Sequence, residues 1–448
     1  MSRILDYEQV LEKLDFISNV GPIKVEQDLA TTKFNLPIKY YTAGNGSLDI
    51  VISGATHGQE IITTDFVLKL MEDIVNNESK WNLILNEFKL HFIPMLNPEG
   101  YLITSSAVRT KIPRDIPIDL EEKLCEEYYL ACKKDSLEED NNDPKNHSLF
   151  FDKVDYTCID EKYNSLRENV KSILDKYPDL PKNCLYMWSA NGSGIDLQAN
   201  SEFNPVISRI MENEEVFMST KRFDNIMMSH PGPINCPLDK EVGFKTEIET
   251  KTISSLLESL HKKGSLYAYL NYHSTGSIIF NRPAEVPKEL DVSEEEQLKK
   301  ELVNYMFAKV YSDKTYKNNG INKYGIDLRE TSKYKIITNK SKATSSNDIF
   351  RLLYNQNILV ELSALGGNPI APFCNIDNLY NNIIDSNLDA VNHTLKVSSL
   401  AKKISEEFYE KVKDLPDYDY EEVVRLEDII YEEFNEKILE LENKGKTR

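Results

Sequence analysis

Cysteine is scarce and unpatterned in this 448-residue chain: six are present, at Cys125, Cys132, Cys158, Cys184, Cys236 and Cys374, none in CxxC spacing. That scatter argues against a disulfide framework and against a cysteine-based metal site, and reduced thiols are the expectation. Long hydrophobic runs are missing too, since no stretch approaches the roughly 18 apolar residues of a membrane-spanning helix. Basic charge is in deficit, with 53 Lys and Arg against 73 Asp and Glu and a formal net charge of -20. Nucleic acids and anionic membrane surfaces both require clustered Lys and Arg, so neither is expected as a partner. The opening residues, MSRILDYEQVLEKLDF, lack the basic end and apolar stretch of a secretory signal, and a cytoplasmic location is expected. Oligomeric state has no signature in the sequence.

What is present is an alternation of strand-like and helix-like segments. The apolar run LDIVISG over 48–54 stops at Gly54 and is followed by ITTDFVLKLMEDIV, whose apolar spacing is helical. A second run, FKLHFIPML, leads into Asn97-Pro98-Glu99-Gly100, which reads as a turn. A third, SLYAYLNYH, ends at His273, and a fourth, NILVELSAL, carries Glu361 ahead of Gly366-Gly367. The alternation predicts an α/β domain with a largely parallel sheet, in which sites gather beyond the strand ends. A charged segment from about 114 to 150 reads as a partly helical insertion with a mobile tip. Pro416 breaks the helical pattern that precedes it, and Val423, Leu426, Ile430, Phe434, Ile438 and Leu441 then recur at helical spacing. The expected organisation is one large domain over 1–413 and an acidic helical extension over 414–448.

Three places carry candidate chemistry. His57 and Glu60 stand three apart at a strand-to-helix junction, where an imidazole nitrogen and a carboxylate can meet at one point. His273 lies where a further strand runs out, and two His plus one Glu with an open fourth position is the ligand set of a catalytic zinc rather than a structural one. Taken singly, a strand-end His ordinarily hydrogen-bonds a loop. Glu361 sits inside Ile358-Leu359-Val360-Glu361-Leu362, and an acid within a buried strand is usually paired, metal-associated or held for proton transfer.

In order and spacing, His57-x-x-Glu60, Asn97-Pro98-Glu99-Gly100-Tyr101, Gly194-Ile195-Asp196-Leu197, His273-Ser274 and Leu359-Val360-Glu361-Leu362 resemble the landmarks of the zinc carboxypeptidase family, peptidase M14. The resemblance spans roughly residues 5 to 400. Trp188-Ser189-Ala190-Asn191 ahead of Gly194, Pro231-Gly232-Pro233 and Thr246-Glu247-Ile248-Glu249-Thr250 are similar to the bacterial branch that includes γ-D-glutamyl-diaminoacid peptidases. The resemblance implies a three-layer α/β/α fold with a central mixed, largely parallel twisted sheet. It also implies one Zn2+ per chain on His57, Glu60 and His273, with Glu361 as general base for a peptide or amino-acid amide substrate. Asp196 would brace loops or orient a zinc-bound His.

The same comparison exposes departures. Both positions where the family carries an oxyanion arginine are serine here, Ser189 and Ser193, and the carboxylate-binding arginine is Ala199, flanked by Gln198 and Asn200. Lys340 falls near the position of the family's flexible tyrosine, with Tyr334 as the other candidate. Gln198, Asn200 and Lys340 are therefore the candidate substrate contacts, and Arg109, Arg222 and Arg209 are candidates to restore the missing charge. Three functions remain open at this point: a metallocarboxypeptidase-like hydrolase, a γ-glutamyl or cell-wall-peptide amidase, and a zinc-binding protein that holds peptides without cutting them.

Overall fold

In chain order the elements are α1 (Tyr7–Ser18), β1 (Lys24–Val25), β2 (Ala30–Thr31), β3 (Pro37–Ile38), β4 (Tyr41–Ala43), β5 (Leu48–Ser53), α2 (Ile61–Asn76), α3 (Glu78–Glu87), β6 (Phe88–Ile93), α4 (Pro98–Arg109), α5 (Ile118–Leu137), α6 (Asn164–Lys176), α7 (Ile248–Lys262), β7 (Leu266–Ser274), β8 (Ile278–Phe280), β9 (Ala284–Glu285), β10 (Lys335–Ile337), β11 (Ser341–Lys342), β12 (Asn357–Leu362) and α8 (Leu379–Val412). The computed structural model describes residues 2–137, 154–176, 178, 180, 184–198, 200, 246–274, 278–280, 284–285, 308, 310–312, 335–337, 341–342, 357–362, 370–412 and 436.

Eight strands form one sheet in the order β1-β4-β6-β5-β7-β12-β8-β10. Its centre is parallel, since β5 pairs in parallel with both β6 and β7, and β12 pairs in parallel with β7. The β1–β4, β4–β6 and β8–β12 pairs are antiparallel, so the sheet is mixed and largely parallel at its core, as expected. The central strands read as nearly unbroken apolar runs because both faces are covered. Along β5, Ile50 and Ile52 enter one hydrophobic core while Val51 enters another. The first core gathers Leu14 of α1, Phe66 of α2, Trp81 of α3, Leu102 of α4 and Ile384 of α8. The second gathers Ile253 and Leu257 of α7 with Ile93 and Tyr269. Helices on both faces give the three-layer arrangement.

One sequence reading changes and another gains detail. Asn97-Pro98-Glu99-Gly100 is not a free turn but the start of α4, with Asn97 as its N-cap accepting from Gly100 N at 2.9 Å and Pro98 in the first turn. Proline belongs there, because the N–H it lacks would have no partner within the helix. The charged insertion begins as the well-docked helix α5: Glu121 accepts from the backbone N–H groups of Arg3 and Ile4, and Cys125 is buried in the first core. The insertion's tip and the extension over 414–448 lie outside the described residues, except for residue 436. Cys125, Cys158 and Cys184 are free thiols. Among the described residues no helix is long and apolar enough to cross a membrane.

Candidate metal centre

The site forms beyond the C-terminal ends of β5 and β7, where a short connection must turn sharply into α2. Gly54 N donates to Ile93 O at 3.1 Å, continuing the β5–β6 ladder, and Ala55 then adopts a left-handed conformation at φ 49°. A non-glycine residue there is held by its surroundings: Ala55 N donates to Thr63 Oγ1 at 2.7 Å and Ala55 O accepts from Asn97 N at 3.0 Å. That kink directs Thr56-His57-Gly58-Gln59-Glu60 inward, and Thr56 Oγ1 is secured to Asn271 Oδ1 of β7 at 3.1 Å. Gly58 passes so close to α4 that a Cβ there would lie 2.2 Å from the carbonyl carbon of Gly100.

His57, Glu60 and His273 are all buried and their ligand atoms lie within 4.8 Å of one another. His57 Nδ1 is 2.9 Å from Glu60 Oε1 and 3.3 Å from His273 Nδ1, and His273 Nδ1 is 3.1 Å from Glu60 Oε2. Tetrahedral zinc with bonds of about 2.0 to 2.1 Å separates its ligand atoms by about 3.3 Å, so a triangle of this size suits that ion. Both oxygens of the buried Glu60 carboxylate face imidazole nitrogens, Oε1 that of His57 and Oε2 that of His273, so the three groups converge on one point. The donor set, two imidazoles and one carboxylate, is a borderline-hard combination that fits zinc.

Charges around the triad are strongly coupled. Burial opposes the charge on Glu60, yet His57 and His273 hold its carboxyl well below the usual carboxylate range. Burial also disfavours charge on His57, but Glu60 on one side and Asp196 on the other raise it well above an ordinary imidazole. His273 is lowered, chiefly by burial. His57 Nε2 meets Asp196 Oδ1 at 3.2 Å, which fixes the ring while Nδ1 faces Glu60. The expected orienting role of Asp196 thus has a contact behind it.

Asp196 is delivered by a loop that follows buried Trp188. Asn191 shapes it, with Oδ1 accepting from Ser193 N at 3.0 Å and Ile195 N at 3.1 Å, and Gly194 supplies φ 78°. Asn97 joins the loops, its Nδ2 donating to Thr56 O at 3.2 Å and Ala190 O at 3.1 Å. Behind the loop stand three acids. Glu99 accepts from Phe34 N and Gly192 N, each at 2.9 Å, while Glu247 and Glu249 accept from Asn191 Nδ2 at 3.1 and 3.3 Å. Burial, then the nearby charge of Glu99, pushes the Glu249 carboxyl up to about 8, and Glu249 Oε2 has no hydrogen bond.

Glu361 is the register partner of His273 in the parallel β7–β12 pair, which puts its backbone one strand away, about 4.8 Å. Gln198 lies on the Asp196 loop, its backbone N–H donating to Asp196 Oδ1 at 2.9 Å and its side-chain Oε1 buried without a hydrogen bond. Asn200 is buried, and its Oδ1 accepts from Glu247 N at 2.6 Å, so that oxygen is committed to the protein. Ser189 is buried beneath the loop, and Ser193 is partly exposed and accepts from Lys33 Nζ at 3.1 Å. Arg109 does not restore charge here: its guanidinium is bound to Asp6 and to Ile112 O at the far end of α4. Lys340, Ala199, Arg209, Arg222 and Tyr334 lie outside the described residues. Lys33, Asn191 and the acid cluster were not singled out from sequence; Glu99, Asn191, Glu247 and Glu249 stood inside quoted motifs without a role, and Lys33 had no local signal.

Comparison with known proteins adds the following. The model of the family described as zinc carboxypeptidase matches residues 27–349. Carboxypeptidase B of Astacus astacus is 26% identical over 103 residues, which is 22% of this chain and 34% of that protein, so the match spans about a third of the relative's length. The structure of bovine thrombin-activatable fibrinolysis inhibitor in complex with tick carboxypeptidase inhibitor is similar over 89% of this chain and 98% of the other, at TM-score 0.50 and 14% identity, a likeness of fold. Carboxypeptidase A from Helicoverpa armigera is also similar, with 15% identity over 90% of this chain and 75% of that one and a TM-score of 0.47.

Proposed function

This chain belongs to the zinc carboxypeptidase family, and from that premise we propose that it is a metallocarboxypeptidase-like hydrolase that removes a C-terminal or amide-linked residue from a short peptide. The observation that carries the reading is the convergence of His57 Nδ1, His273 Nδ1 and the Glu60 carboxylate, with Glu361 in register beside His273. His57, Glu60 and His273 would hold one Zn2+. When bound, zinc polarises the scissile carbonyl and lowers the pKa of a coordinated water. Glu361 is the base that takes a proton from the attacking water and returns it to the leaving amine. Asp196 keeps the His57 ring in place through Nε2, so that Nδ1 is the ligand atom. Residues 1–413 form the catalytic unit in this reading, 414–448 an extension, and the free thiols fit a cytoplasmic setting.

The test separates ligand from base. Zinc is measured by elemental analysis in the parent, Glu60→Gln and Glu361→Gln, and hydrolysis is followed on C-terminal, amidated and γ-linked peptides. Glu361→Gln should keep about one zinc per chain and lose turnover, whereas Glu60→Gln should lose metal. Zinc loss from Glu361→Gln with activity preserved would reverse the assignments. A parent that binds zinc and peptides but cleaves none of them would make the protein a binding relative of the enzymes, and cleavage confined to γ-linked peptides would make it a γ-glutamyl amidase.

A further inference from the structure

The environment of the metal triad is acidic. Glu60 and Asp196 face His57, and Glu99, Glu247 and Glu249 stand behind the loop that carries Asp196. A bound zinc would offset Glu60 and Asp196, but a carboxylate that lies away from the metal, on the loop side of the site, would still need a cation of its own at the rim. Ser189 and Ser193 supply none, and Arg109 is bound elsewhere.

One cation is brought to this rim from a distant part of the chain. Lys33 sits in the tip of the β2–β3 hairpin, closed by Thr32 N donating to Leu36 O at 2.9 Å and by Asn35 at φ 63°. The tip is docked, not free: the next residue, Phe34, donates its N–H to buried Glu99 at 2.9 Å, and Glu99 also takes Gly192 N from the Asp196 loop. Docking therefore sets the hairpin and the loop side by side on one carboxylate. It lays Lys33 Nζ 3.1 Å from Ser193 Oγ, three residues before Asp196. Lys33 is exposed, and no carboxylate lies within ion-pair distance of it among the described residues, whereas Lys39 of the same hairpin is paired with Asp28. The Ser193 hydroxyl and the face of the Phe34 ring, 5.2 Å from Nζ to its centroid, leave the ammonium without a counter-ion and two of its three donors available.

We propose that Lys33, held over Ser193 by the docked hairpin, grips a carboxylate of the substrate and makes the enzyme selective for anionic peptides. This rests on the hydrolase reading above. The carboxylate is either the terminal α-carboxylate or an acidic side chain, and one peptide sequence in four forms distinguishes them: C-terminal acid or amide, each with Glu or Gln at the adjoining position. KM and kcat are measured for the zinc-loaded full chain, Lys33→Met and Lys33→Arg. A charge-assisted hydrogen bond to the ligand corresponds to about a ten-fold effect. Lys33→Met should therefore raise KM about ten-fold for peptides carrying the recognised carboxylate. It should leave kcat and the neutral peptide as in the parent, and the discrimination should shrink at high ionic strength. Lys33→Arg should keep the preference.

An equal effect of Lys33→Met on charged and neutral peptides, or a loss of zinc, would make Lys33 a brace for the loop, and no effect would remove it from recognition; either result overturns the proposal. Binding of the same four peptides to zinc-loaded Glu361→Gln, with and without Lys33→Met, keeps the two readings separate. Lys33-dependent binding without hydrolysis by the parent would sink the hydrolase and leave the grip. Hydrolysis with charge preference unchanged by Lys33→Met would do the opposite.

Discussion

Replacing Glu249 by glutamine tests whether a proton is stored behind the loop that carries Asp196. Glu249 is buried beside the charge of Glu99, with Glu247 nearby, and its carboxyl is pushed up from 4.5 to about 8. In the unfolded chain the same group titrates near 4.5. A carboxyl whose folded value is raised binds its proton more tightly when folded, so its stabilising contribution is complete below about pH 4.5 and is lost as pH rises toward 8. Within that window stability falls with rising pH, and between pH 5 and pH 7 the parent should lose about 2 to 3 kcal/mol through the acid pair. Glu249→Gln copies the protonated shape and cannot ionise, so it lacks this dependence. Because Glu99 is raised as well, the titration belongs to the pair, and the comparison reports the pair's apparent value. Denaturant unfolding of parent and variant from pH 5 to pH 9 should give a stability difference that grows in favour of the variant up to about pH 8 and then levels off. A constant difference over the whole range would mean that Glu249 is ionised in the folded protein, and the account of the acid cluster would fail.

Two further outcomes follow from the site's geometry. Asp196→Asn should weaken zinc affinity about 10- to 100-fold, because it removes the anionic partner of His57 Nε2; competition with a chromophoric chelator measures this, and unchanged affinity would make Asp196 a loop brace alone. Gly58→Ala should cost about 3 kcal/mol and reduce zinc occupancy, since its Cβ would stand 2.2 Å from backbone of Gly100 that has no rotamer to yield; a variant with the parent's thermal midpoint and metal content would show that the two loops separate at little cost.

Much of the architecture was determined locally. The run at 48–54 is apolar because both faces of β5 are covered, the run at 357–362 pairs as a strand with β7, and the helical spacing after Gly54 marks α2. His57-x-x-Glu60 and a His at a strand end were visible as chemistry because their spacing and position are properties of one segment. Asn97-Pro98 was misread as a turn, since the same residues favour turns and helix starts, and only the helix that continues to Arg109 distinguishes them. What tertiary structure alone decided is the set of partners. His57 and His273 are 216 positions apart, His57 and Asp196 are 139 apart, and Lys33 reaches Ser193 across 160. No periodicity records such pairings: a lysine in a polar hairpin has the same sequence signature whether it meets solvent, an acid or a loop far along the chain. The proton on Glu249 is of the same kind, for it arises from burial and from the charge of Glu99 brought close by folding, and neither is a property of the residues flanking Glu249.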